Sequence, residues 1–265
     1  MFRRFSKSVL VAICLLPCAE VAEADSAARQ RAENFATLPD WTGLWESEAW
    51  SDITVGGRPA GGMAAVRAKS ALAAHPPYNA VWEARYAEAL KDTAALAAAA
   101  ETTKICKFGF PGALESPSVF EMLVTPEQTA FIFTTPEVRH VYTDGRAHPG
   151  PDSLWPTLMG HSIGHWEGHT LVIETVARDS AAPLRFSSPF LKLSEQARYT
   201  ERIRLVGPDS LVNEMTIEDP VALARPWHLV LRHRRVKNLD RILPYDCAEN
   251  DRNPVIDGQL TISPP

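Results

Sequence analysis

From Val119 to Arg235 apolar and polar positions alternate with a period of two, the pattern of strands that bury one face. The alternation predicts strands at Val119–Thr125, Thr129–Thr135, Val138–Thr143, His161–Trp166, Thr170–Val176, Ala197–Val206, Leu211–Glu218 and Trp227–Arg235. Turn residues separate them at Pro126-Glu127, Pro136-Glu137, Glu167-Gly168, Gly207-Pro208-Asp209 and Asp219-Pro220. A further strand is expected around Trp41–Glu46, after the turn at Leu38-Pro39-Asp40, making about nine. The connections are mostly short, so neighbours are expected to pair antiparallel as a meander. A twisted sheet of this size removes its edges by closing. The fold class is therefore mainly β, a lipocalin-like barrel or strongly curved sheet.

A different period interrupts this plan after the first strand. Ser51–Gly62 reads as a loop, and Met63–Ala74 is Ala-rich and helix-prone until His75-Pro76-Pro77 stops it. Asn79 can cap a helix through Trp82, Tyr86, Ala89 and Leu90 to Ala100, whose apolar positions recur at helical spacing. Residues 63–101 are thus expected as a helical insertion packed across one end of the sheet. Asp25–Asn34 reads as a short helix or a loose arm.

The start of the chain has its own signature. Arg3, Arg4 and Lys7 precede a short apolar run, Val9–Leu16, and Ala22-Glu23-Ala24 offers small residues for cleavage. Residues 1–24 are expected to be a signal peptide, which implies a periplasmic or secreted protein. The apolar run is too short to span a bilayer, and Pro17 disfavours lipidation at Cys18. Residues 25–265 then form a single domain. One net positive charge leaves with the leader, so the remainder sits near −6 rather than the −5 of the whole chain. Nucleic-acid binding needs a basic face, and the one basic cluster, Arg232-His233-Arg234-Arg235, reads as a solvated strand end. With Cys14 and Cys18 removed, Cys106 and Cys247 are expected to form a disulfide in an oxidising compartment. Two free thiols or a metal site are the alternatives, and the lack of a CxxC spacing argues against structural zinc.

Chemistry concentrates in Val138–Val176, which holds five of the eight histidines: His140, His148, His161, His165 and His169. His161, His165 and His169 are four apart, but Gly160, Gly164 and Gly168 at the same period oppose a helix. On a strand His161 and His165 would lie ~13 Å apart, too far to share one ion. A mixed site of His148, His161 and Asp144 is the remaining metal option. The run YTDGRAHP (142–149) must turn at Asp144-Gly145. In one reading Asp144 caps backbone amides and Arg146 pairs with a carboxylate. In the other, Asp144 orients His148 as a general acid or base at a barrel mouth.

Glu201 shares a strand face with Tyr199, Ile203 and Leu205. A carboxylate there is either half of a buried ion pair, with Arg146, Arg202 or Arg225, or a catalytic group of raised pKa. Trp155, Trp166 and Phe131 are core residues or the lining of a pocket for a flat apolar ligand. Serine-hydrolase, zincin and nucleotide-binding motifs are absent.

At LPDWTGLWE (38–46), YTDGRAHP (142–149), GHSIGHWEGHTLVIET (160–175), TERIR (200–204), TIEDPVALARPW (216–227) and YDCAEN (245–250) the chain resembles a broad group of secreted bacterial proteins of unknown role. Its early G-x-W unit is similar to that of lipocalin-like proteins. The resemblance implies a shared fold and pocket and carries no activity. Members of the group usually keep the residues seen here as Tyr142, Asp144, Arg146, His148, His161, Trp166, Glu167 and Glu201. The chain departs from the group at His165, where Arg is usual, and at His169, where Asp is usual. It also departs near Leu193 and Arg198, where histidines are usual.

Taken together, the sequence supports an exported acid–base enzyme of lyase, dehydratase or isomerase type, acting on a small, partly apolar or aromatic molecule without an organic cofactor. His148 and His161 would be acid and base, Asp144 their orienter, and Arg146 or Tyr142 the oxyanion stabiliser, with Glu201 as a partner. A non-catalytic binding protein for a small hydrophobic ligand, or a histidine-rich metal binder, are the alternatives. Oligomeric state is not readable from the sequence.

Overall fold

The computed structural model describes residues 16–50, 65, 68–92, 109–116, 119–135, 137–182, 184, 192–242, 255–256 and 259–260. The expected disulfide cysteines, Cys106 and Cys247, and the start of the expected leader lie outside this set.

Nine strands close into a barrel: β1 (Leu44–Ser47), β2 (Phe120–Val124), β3 (Gln128–Phe133), β4 (Val138–Tyr142), β5 (His161–Glu167), β6 (Thr170–Val176), β7 (Arg198–Gly207), β8 (Ser210–Glu218) and β9 (Trp227–Val236). β1 pairs with β2 on one side and with β9 on the other, which completes the ring. Two short strands, β10 (Val255–Ile256) and β11 (Gln259–Leu260), pair only with each other. Every neighbouring pair in the ring is antiparallel except β4 and β5, which run parallel through Val141↔Ser162 and Tyr142↔Ile163. The expected all-antiparallel meander is corrected here. A ring with an odd number of strands cannot alternate throughout, so one pair must run in the same direction. Parallel neighbours need a long crossover, and residues 143–160 supply it.

The helical insertion is shorter than its sequence pattern. Helix α1 (Leu16–Ala36) precedes the barrel and runs through the expected leader boundary. Helix α2 (Ala80–Ala89) starts at Asn79, whose side chain accepts a hydrogen bond from Trp82 N at 3.0 Å. Leu90–Asp92 have already left the helix, and residues 93–100 lie outside the described set. Tyr78 fixes the insertion to the barrel end: it bridges Leu223, donates to Lys192 O at 2.7 Å and accepts from Lys192 N at 3.0 Å. Trp82 and Tyr86 pack against the core. Among the described residues no helix is long and apolar enough to cross a membrane.

Alternate residues point inward on every strand. Phe120, Phe131, Phe133, Leu171, Ile173, Tyr199, Ile203, Met215, Ile217, Leu229 and Leu231 fill the barrel. At one level polar groups replace them. Arg139 of β4 is 1 % exposed and forms an ion pair with Glu201 of β7, 0 % exposed. Its Nε donates to Ser162 Oγ of β5 at 3.2 Å and its Nη2 to Thr175 Oγ1 of β6 at 2.8 Å. Asn213 Nδ2 of β8 donates to Glu201 Oε1 at 2.7 Å. The guanidinium lies 3.9 Å from the Phe110 ring centre, in cation–π contact. One side chain from each of five consecutive strands therefore meets in one buried network. Glu201 is half of a buried ion pair, and its partner is Arg139 rather than Arg146, Arg202 or Arg225.

His233 of β9 also faces inward. It meets Leu114 O through Nε2 at 2.9 Å and packs edge-on to Phe120. Burial pushes its pKa down to about 4.

Two predictions follow from this interior. Replacing Arg139 by Met strands the Glu201 charge and should cost about 3–5 kcal/mol in urea unfolding, whereas the Arg139→Met, Glu201→Leu pair should recover most of that loss. If the double variant is no more stable than R139M, the ion pair is not the source of the cost. His233 binds its proton more weakly folded than unfolded, so its contribution is complete above pH 6.5 and is lost as pH falls from 6.5 towards 4. On the order of 3 kcal/mol is involved. Stability of His233→Gln, measured across that range, should fall less steeply than that of the unaltered protein, and equal slopes would refute the assignment.

Candidate functional site

The histidines of interest lie on the outer wall of the barrel, at the parallel joint. Ser162 points inward, so its neighbour His161 points outward, next to Tyr142 of β4. Gly160 makes this possible. Its φ of 70° turns the chain into β5, and a Cβ there would come within 2.7 Å of Thr175 Cγ2 and Val176 O. The crossover then carries His148 back over the same place. His148 Nδ1 and His161 Nδ1 are 2.7 Å apart, with the ring centres separated by 4.9 Å.

Glu174 of β6 extends this pair. Its Oε1 lies 3.1 Å from His148 Nε2, a charge contact rather than an aligned hydrogen bond. Arg198 of β7 forms an ion pair with that same oxygen. A carboxylate beside His148 Nε2 favours the proton on that nitrogen. His148 Nδ1 is then an acceptor, His161 Nδ1 the donor, and His161 Nε2 carries a lone pair. No hydrogen bond reaches His161 Nε2 among the described residues. Burial lowers the pKa of both rings. At His148 the Glu174 carboxylate opposes this, and at His161 the charges of His148 and Arg146 add to it. Both imidazoles are accordingly held towards the neutral, basic form.

The turn ahead of His148 is built by its own residues. Asp144 Oδ1 accepts from Arg146 N at 3.1 Å and from Arg146 Nε at 2.9 Å. Gly145 takes φ 89°, which this tight reversal requires. The Arg146 hydrogen bond lowers the Asp144 pKa. Asp144 thus orients Arg146, not a histidine, and the Arg146 guanidinium lies 4.1 Å from the Tyr142 ring centre.

Two clefts flank the pair. One of about 350 Å³ is lined by His161, Tyr142 and His140 with Val138, Leu158 and Met159. The other, about 390 Å³, is lined by Arg146, Glu174, Thr200, Ile163 and Val172. The chain Glu174–His148–His161 runs from the second to the first.

The structure brings Tyr142, Asp144, Arg146, His148 and His161 together and leaves Glu201 inside the barrel. The three aromatic candidates do not meet. Trp155 is 70 % exposed, Phe131 is buried beside Arg139, and Trp166 packs on Trp41 at 5.4 Å. His165 is exposed and contacts Glu167, which pairs with Arg202. Among the described residues no group of three His, Cys, Asp or Glu side chains is arranged to hold a metal ion. Sequence reasoning missed Glu174 and Arg198 as members of the site. Their outward positions in β6 and β7 follow from strand alternation, but their closeness to His148 depends on the path of the crossover. No family model matches the chain, and neither does any curated protein or solved structure.

The direct contact of the two rings is open to test. His148→Asn removes a like-charged neighbour, so the titration midpoint of His161, followed by NMR, should rise towards the ordinary histidine value. An unchanged midpoint would show that the rings are not coupled.

Proposed function

We propose that the protein is an acid–base enzyme, of lyase, dehydratase or isomerase type, for a small, partly apolar or aromatic molecule. The observation that carries this reading is the Glu174–His148–His161 series, a charge contact followed by a ring-to-ring hydrogen bond, which ends at the lip of a cleft in a His161 Nε2 that no hydrogen bond reaches among the described residues. A carboxylate that fixes one imidazole, which fixes a second, is an arrangement suited to moving protons near neutral pH.

In this reading the substrate sits in the cleft of about 350 Å³, with its apolar part against Val138, Leu158 and Met159. His161 Nε2 removes a proton from a carbon next to an electron-withdrawing group. The electron pair moves onto the oxygen of that group, where Tyr142, which lines the same cleft with Arg146 stacked on its ring, stabilises the charge. The His161 imidazolium then returns the proton at a second position, completing an isomerisation, or protonates a departing hydroxyl, completing a dehydration. His161 is the catalytic residue, and His148 and Glu174 position it. The basic-then-apolar start of the chain supports a periplasmic or secreted setting.

The test uses a panel of small aromatic and unsaturated carboxylic and hydroxy acids in D₂O, followed by proton NMR. Exchange, isomerisation or dehydration of a panel member is expected. Its rate should drop about 10²–10⁴-fold in His161→Gln while the fold is retained. A folded H161Q that keeps full turnover would remove the assignment. An unmodified small molecule found bound by native mass spectrometry, with no turnover of the panel, would favour a binding protein instead.

A further inference from the structure

Among the described residues no hydrogen bond joins Arg198 to either histidine ring, yet it ends on the same atom as His148. Glu174 Oε1 receives both the Arg198 guanidinium and His148 Nε2. From this sharing we infer that Arg198 is a positioning residue that sets the protonation of the His148–His161 pair.

Arg198 and His148 compete for one carboxylate oxygen. An unshared carboxylate beside an imidazole stabilises the imidazolium and draws a proton onto the ring. A carboxylate already neutralised by a guanidinium does so far less, while still fixing which ring nitrogen bears the proton. Arg198 is half-exposed and Glu174 somewhat less so, so solvent screens their interaction without abolishing it. Titratable groups face the pair from several elements, and Glu137 and His140 line the cleft beside His161. Glu174 on β6 favours the protonated form of His148, and Arg198 on β7 opposes it. On the crossover Arg146 opposes protonation of His161, with Asp144 bound to it. His161 on β5 is the ring partner, and Tyr142 on β4 lies against that ring. Arg198 is the single group in this set that acts by occupying the carboxylate. Burial is the larger influence on His148, and Arg198 works in the same direction by limiting how far Glu174 can draw a proton onto the ring.

This inference rests on the reading of the pair as the proton-transfer group, but its test is made without substrate. Full-length protein labelled in its histidine rings is titrated by NMR, with circular dichroism as the fold control. Arg198→Gln should raise the His148 midpoint by about one pH unit, and Arg198→Lys should restore most of the original value. In a Glu174→Gln background the same R198Q change should move the midpoint much less. An unmoved midpoint in R198Q overturns the inference, and so does an equal shift with and without Glu174, which would indicate direct repulsion. A shifted midpoint in a protein inert towards the substrate panel would leave the role of Arg198 standing and sink the catalytic reading.

Discussion

The buried pair of Arg139 and Glu201 ties five neighbouring strands of the barrel wall to one another. Two charges inside an apolar core are costly unless each is matched and hydrogen-bonded. Here Ser162, Thr175 and Asn213 complete the match, and the Phe110 ring covers the guanidinium. The network draws one residue from each of β4, β5, β6, β7 and β8. It spans one of the two weakly paired joints of the ring, because β4 and β5 share only two paired positions, as β1 and β2 also do. Arg139 reaches from β4 to Ser162 on β5 across that joint. A polar clasp does inside the wall what ladder hydrogen bonds do elsewhere. Its directional geometry also fixes register, which apolar packing alone does loosely.

The same joint carries the candidate site on its outer surface. Ser162 and His161 are neighbours on one strand and point to opposite faces. The clasp that fixes Ser162 therefore also fixes where His161 stands. Tyr142 is likewise three residues from Arg139, on the opposite face of β4. The interior at this level is filled by the Arg139–Glu201 network, with apolar side chains packed around it, so the histidines stand outside. A lipocalin-like closed wall is here a scaffold with a filled centre, and its concave features near the histidines lie along a seam.

Much of this was legible in the sequence. The sequence pattern placed all nine barrel strands to within a few residues, and turn residues such as Pro126, Asp144, Gly168 and Asp219 mark the ends of several. The contrast of Glu201 with its apolar neighbours showed that it must be paired. Its partner was not legible, because Arg139 sits among Val141 and Thr143 in a strand with polar residues on both faces, and either face could have turned inward. The pairing of β4 with β5 was within reach by parity alone, since nine strands cannot close in strict alternation. Which pair would be parallel was not, because that depends on the route of residues 143–160. His161 and His165 are apart in the structure, as their spacing on one strand required: His165 is exposed, and His161 meets His148. The role assigned to Asp144 fell to Glu174, since Arg146 is two residues from Asp144 and claims it first.

That last exchange bears on what the turn YTDGRAHP is for. Asp144, Gly145 and Arg146 form a self-contained unit, a carboxylate closed onto its own guanidinium around a glycine with positive φ. Such a turn needs nothing from the rest of the protein to hold its shape. It can therefore deliver the following residues along a fixed path, and His148 arrives over His161 and Glu174. The unit also presents Arg146 above Tyr142, in the wall of the second cleft, without drawing on Glu174 to hold it. Glu174 is left for His148 and Arg198. A rigid turn, a glycine-enforced strand start and an inner clasp thus converge on one imidazole pair, and each acts through backbone placement rather than by touching the pair's free nitrogen.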